Sequence, residues 1–191
     1  MSKWVIVLVA VGAFVAGNAT GFLAGVSSVS AGRSFIEDMV TTEQPADIEK
    51  QLRIERPGFE LSYPGNWRID DKDEDYDPDR LFSIESPGSA SVTISVMPVV
   101  ADLDDVMETQ REVHRKLMPA PAATTTLVHW GAFDGKGMRM EGRIFGMKGT
   151  ITAFAATSDG RTLMIVSQVF DDDRASVVPG LELIERTLKL R

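Results

Sequence analysis

The chain has 191 residues, 43% hydrophobic and 25% charged, which suits one domain of ordinary size with a packed core plus a short extra segment. Its net charge is −8, and only Lys3 and Arg33 of its 20 basic residues fall in the first 33 positions, so the remainder holds 18 basic against 28 acidic side chains, a balance of −10. That acidity excludes a phosphate-binding nucleic-acid surface and disfavours docking of the domain onto anionic lipid. The lack of cysteine excludes disulfides, thiolate metal sites, cysteine catalysis and a lipidated N-terminal Cys.

From Trp4 to Gly32 there is no charged side chain. A run of roughly 20 apolar residues spans a bilayer core of about 30 Å. Residues 1–32 are therefore expected to form one transmembrane helix, an uncleaved signal anchor. A cleaved signal peptide is the competing reading, with Val29-Ser30-Ala31 as its exit. In the first case the N-terminus is cytoplasmic and the domain sits outside the membrane, in a periplasm or at a cell surface; in the second the domain is secreted. Ala13, Gly17, Gly21 and Gly25 recur every four residues along one helix face. Such a small-residue seam lets helices approach closely in lipid, so self-association or a membrane-protein partner is expected.

Residues 33–57 read as a connector, with Phe35, Ile36, Met39 and Val40 at helical spacing and another turn or two over Asp47–Leu52. Pro57-Gly58 opens an α+β domain over residues 58–191. Strands are expected over Phe59–Tyr63, Trp67–Ile69, Leu81–Glu85 and Ser91–Met97. A helix runs from Asp102, its N-cap, to Met118 before Pro119. A meander then follows over Thr126–Phe133, Met138–Phe145, Thr150–Thr157 and Thr162–Phe170, with turns at Asp134-Gly135, Gly146 to Gly149 and Asp159-Gly160. A last helix over Asp173–Ile184, bent or restarted at Pro179-Gly180, precedes an edge strand over Thr187–Leu190. The sum is an antiparallel sheet flanked by helices.

Phe59-Glu60-Leu61-Ser62-Tyr63-Pro64-Gly65-Asn66-Trp67 resembles the opening of PsbP-like domains, a superfamily that includes the extrinsic photosystem II protein PsbP and the Mog-type nuclear transport factors. The order of elements over about residues 57–191 is similar too. The resemblance implies an α/β/α sandwich and a binding or assembly role without catalysis, on an exported domain. No residue here matches a photosystem-binding motif.

The candidate sites are few. Asp71, Asp73, Asp75, Asp77 and Asp79 alternate through the acidic stretch 70–79 and can converge on Ca²⁺. Against that, Tyr76 stands where a calcium loop wants Gly, and Phe82 where it wants Glu, so a solvated acidic loop is the preferred reading. Lys136, Arg139, Arg143 and Lys148 are partner-binding candidates for an acidic surface. His114 and His129 read as structural, and Trp67 and Trp130 as core rather than as walls of a ligand cleft. No nucleophile elbow or phosphate loop is present. Three hypotheses follow: a membrane-tethered, non-catalytic interaction or assembly module, expected as accessory subunit of a membrane complex; an exported cation- or ligand-binding domain; and, last, a hydrolase. No cofactor is expected beyond a weak Ca²⁺ site.

Overall fold

The computed structural model describes residues 43–72, 75–144 and 146–191. The expected anchor, its Ala13–Gly25 seam and the first part of the connector lie outside these residues. No helix among the described residues is long and apolar enough to cross a membrane.

Among the described residues, ten strands form two antiparallel sheets. The smaller holds β1 (Gln51–Arg56), β2 (Phe59–Pro64) and β10 (Lys189–Leu190), in the order β1-β2-β10. The larger holds β3 (Arg68–Asp70), β4 (Leu81–Glu85), β5 (Ser91–Met97), β6 (Ala123–Trp130), β7 (Phe133–Ile144), β8 (Met147–Ser158) and β9 (Arg161–Phe170), in the order β3-β4-β5-β9-β8-β7-β6. Helix α1 (Leu103–Leu117) packs on β7 and β8, and α2 (Arg174–Thr187) packs on β2 and β9.

Strand parity sorts the core into two layers. Ile151, Ala153, Ala155, Met164 and Val166 point to α1, where Val106 and Met107 meet Met138 and Met140. Their alternates Phe154, Ala156, Leu163, Ile165 and Val169 point the other way, to Val177 and Ile184 of α2 and to Phe59 and Leu61 of the small sheet. Phe59 stacks on Phe82 at 5.4 Å between ring centres, which seats the small sheet on the large one. The two helices thus lie on opposite faces of the large sheet, in an α+β fold.

The first strand departs from the expectation. Gln51–Arg56 is extended and pairs along its whole length with β2, so the domain begins inside the segment read as connector and the turns expected over Asp47–Leu52 give way to β1. Only Ile54 of β1 is buried, so its own pattern is too polar to announce a strand; pairing with β2 imposes the conformation. Residues 43–50 are fastened as well. Ala46 N–H donates to Ser176 O at 2.9 Å, Gly65 N–H to Asp47 O at 3.0 Å, and Asp47 N–H to Asn66 Oδ1 at 2.8 Å.

The β6–β7 hairpin is also displaced. Asp134-Gly135 is not its turn: β7 begins at Phe133, and the reversal falls at Gly131, whose φ is +56°. Gly135 and Gly137 stay in the strand because the Phe154 ring covers them; a Cβ at either would come within 2.8 Å of it. The next turn is tighter than expected as well, since β8 begins at Met147 rather than Thr150. Asp159 and Gly160, by contrast, join β8 to β9 with φ of +52° and +73°, the two-residue turn that right-twisted strands favour. Helix α2 runs on through Pro179 to Thr187 without restarting.

Candidate functional site

A cleft of about 310 Å³ opens between α2 and the β6–β9 part of the large sheet, at the small end of ligand-site volumes. Its floor follows from register. Arg139, Thr152 and Ser167 lie side by side across β7, β8 and β9, with Thr150 and Val169 in the next row. Leu127 and Trp130 of β6 close one end, and Val178 and Leu181 of α2 form the apolar wall. Trp130, expected in the core, is buried and lines the cleft at once, whereas Trp67 is purely core.

Charge is arranged in two banks. Arg174 opens α2 and donates to Thr150 Oγ1 at 2.5 Å and to Asp171 Oδ1 at 3.1 Å, so its guanidinium is held over the floor. Arg139 is exposed and has no carboxylate partner among the described residues. Glu182 and Glu185 of α2 form the opposite bank. Glu185 accepts from Gly131 N–H at 2.9 Å, which ties the β6–β7 turn to the helix.

The expected basic cluster is split by strand parity. Arg139 and Arg143 point to the cleft side of β7, and Lys148, opposite Arg143 on β8, points the same way. Lys136 lies on the other face, where its ammonium pairs with Asp104 of α1. Glu141 is the carboxylate between Arg139 and Arg143 on the cleft-side row.

The histidines do not meet. His114 is buried on α1, and its Nδ1–H donates to Gln110 O at 2.7 Å. Burial holds its pKa down at about 4, so the ring is neutral. His129 lines the cleft mouth with Nδ1 2.5 Å from Asp134 Oδ1, both side chains largely exposed. Among the described residues, no histidine or carboxylate hydrogen-bonds to Thr150, Thr152 or Ser167.

In the acidic stretch, Asp73 lies outside the described residues. Asp77 spends its Oδ1 on Asp79 N–H at 3.0 Å, and Asp79 stands 4.0 Å from Arg56 Nε. No group of three metal-ligating side chains occurs among the described residues.

A buried titratable group that sequence reading missed lies at the β3–β4 edge. Glu85 is 2% exposed and accepts from Arg68 Nε at 3.0 Å, across a register pair. Burial first, then the charge of Asp70, pushes its pKa up to about 8 against the pull of Arg68. Arg68 is mostly exposed, so solvent screens that pull. Nothing in Leu81-Phe82-Ser83-Ile84-Glu85 marks the last position as interior; the neighbouring strands decide it.

No protein-family model matches the chain, and no curated protein does. Similar solved structures include LpqN of Mycobacterium tuberculosis, described as involved in cell envelope biogenesis, at 14% identity and TM-score 0.46, covering 74% of this chain and 91% of that one. A protein of Bacteroides thetaiotaomicron is similar at 15% identity and TM-score 0.46, over 70% of this chain and 45% of that one. The cyanobacterial PsbP of Synechocystis sp. PCC 6803 is similar at 10% identity and TM-score 0.48, over 90% of this chain and 99% of that one.

Proposed function

We propose that this protein is a non-catalytic interaction module, tethered to a membrane by residues 4–32, that receives an acidic segment of a membrane-protein partner on the cleft-bearing face of its large sheet. The observation that carries the reading is the alignment of Arg139, Arg143 and Lys148 on that face, without carboxylate partners among the described residues, beside Arg174 in the cleft. A guanidinium recognises carboxylates in a bidentate geometry, and complementary charge sets partner choice and encounter rate. Among the described residues no histidine or carboxylate hydrogen-bonds to the cleft hydroxyls, which supports binding rather than acyl transfer as the reading. The tether rests on the uncharged run from Trp4 to Gly32, and the membrane partner on its small-residue seam.

The test uses full-length protein extracted in mild detergent, wild type against Arg139→Glu/Arg143→Glu. The reading requires a membrane-protein chain that co-purifies with the wild type and is lost from the double variant, with melting temperature unchanged and an intact mass that retains residues 4–32. A partner held equally by both proteins removes the basic face from the account.

A further inference from the structure

A strand at the end of a sheet presents a row of unpaired N–H and C=O groups, and proteins blunt such edges by shortness, charge, proline or bulges. Four strands end the two sheets here. β3 and β10 have three and two residues. β1 carries Arg53, Glu55 and Arg56. β6 is different. It is eight residues long, Ala-Thr-Thr-Thr-Leu-Val-His-Trp, with no proline and no Lys, Arg, Asp or Glu. Among the described residues it pairs with β7 on one side only, and Ala123–Thr126 are exposed, as is Val128 at 57%. Its register slips only between Leu127 and His129, so a regular ladder is open over Ala123–Leu127.

We infer that β6 takes an extended acidic segment of the partner as an eighth strand of the large sheet. The inference rests on the reading above and specifies its geometry. Main-chain hydrogen bonds to an open edge supply affinity, and alternate side chains supply specificity. On the cleft side the incoming strand runs past Arg139, which stands opposite Thr125 in register, and towards Arg143 and Lys148. Glu141 on that row leaves the positive charge in excess. On the other face Lys136 is already paired with Asp104, and the edge offers Thr124, Thr126 and Val128. The fitting ligand therefore alternates Asp or Glu with Val, Ile or Thr. A second copy of β6 does not fit this description, because Ala123–Trp130 contains no carboxylate.

The probe is a soluble peptide of eight residues, the length of β6, alternating glutamate with valine; its control alternates lysine with valine. Hydrogen exchange is measured on full-length protein in detergent. The acidic peptide is expected to slow amide exchange across Ala123–Leu127 by about tenfold or more, and the lysine peptide to leave it unchanged. Arg139→Glu should weaken acidic-peptide binding at least about tenfold. If the acidic peptide binds in an Arg139-dependent way without protecting β6, strand addition is wrong and the acidic-partner reading stands. Equal protection by both peptides overturns the charge selection. Protection of β6 without peptide, with a doubled particle mass, assigns the edge to a second copy and overturns the inference. An Arg139-dependent membrane partner in the absence of any peptide effect on β6 does the same.

Discussion

Gly180 shows how a single missing Cβ fixes the joint between the two ends of the domain. A Cβ there would lie 2.7 Å from Trp67 Cζ2 and 2.8 Å from Pro64 Cγ. In an open helix, alanine would be better than glycine by about 1 kcal/mol. Here the two rings are stiff and buried, and overpacking costs about 1–3 kcal/mol. Gly180→Ala is therefore expected to lower the melting temperature by about 3–6 °C. An equal or higher value would mean that Trp67 and Pro64 yield. Glu85 gives a second test. Its carboxyl holds a proton to about pH 8 when folded but loses it near 4.5 when unfolded, so folding loses stability as pH rises through that window. Glu85→Gln should flatten that loss and add about 2 kcal/mol at pH 7 relative to pH 5, read by urea unfolding at both values. Neither role was legible in the chain. Pro179-Gly180 reads as a break and Glu85 as surface until the strands around them are placed.

At the scale of elements, what was legible is what local chemistry controls. Leu81–Glu85 and Ser91–Met97 carry their own alternation and appear as β4 and β5 with those bounds. Asp102 caps α1, accepting from Asp104 N–H at 2.8 Å. Asp102→Ala should cost about 1 kcal/mol, measured as a shift in the urea midpoint at constant slope. β1 and the first residues of β7 were not legible, because a partner strand and the Phe154 ring determine them. The cleft has the same origin. Arg139, Thr152, Ser167 and Arg174 come from four elements; sheet register sets the first three side by side, and the packing of α2 holds Arg174 over them. Arg139, Arg143 and Lys148 were singled out as basic residues near one another, but their separation from Lys136 needed the strand to run unbroken through Gly137.

For the whole molecule, two buried groups set opposing pH slopes. His114 stays neutral to about pH 4 when folded, so its contribution is lost as pH falls below its unfolded value near 6.5. Glu85 works in the other direction between about 4.5 and 8. Stability is expected to be nearly level where the windows overlap, from about pH 4.5 to 6.5, and to decline from there to pH 8. A melting temperature that rises steadily from pH 6.5 to 8 would contradict this. The acidic balance of the domain and the basic patch at one end of its sheet make it electrically lopsided, so the on-rate for an acidic partner should fall steeply with salt.

The small sheet joins what the chain makes early to what it makes late. β2 lies between β1, just ahead of it, and β10, about 130 positions on; Lys189 pairs with Glu60 and Leu190 with Phe59. Arg191 then bonds to Glu55 and Glu60 and donates its N–H to Gly58 O at 2.8 Å. No ribosome can finish this sheet before residue 190 has emerged, and no truncation short of it leaves β2 covered on both sides.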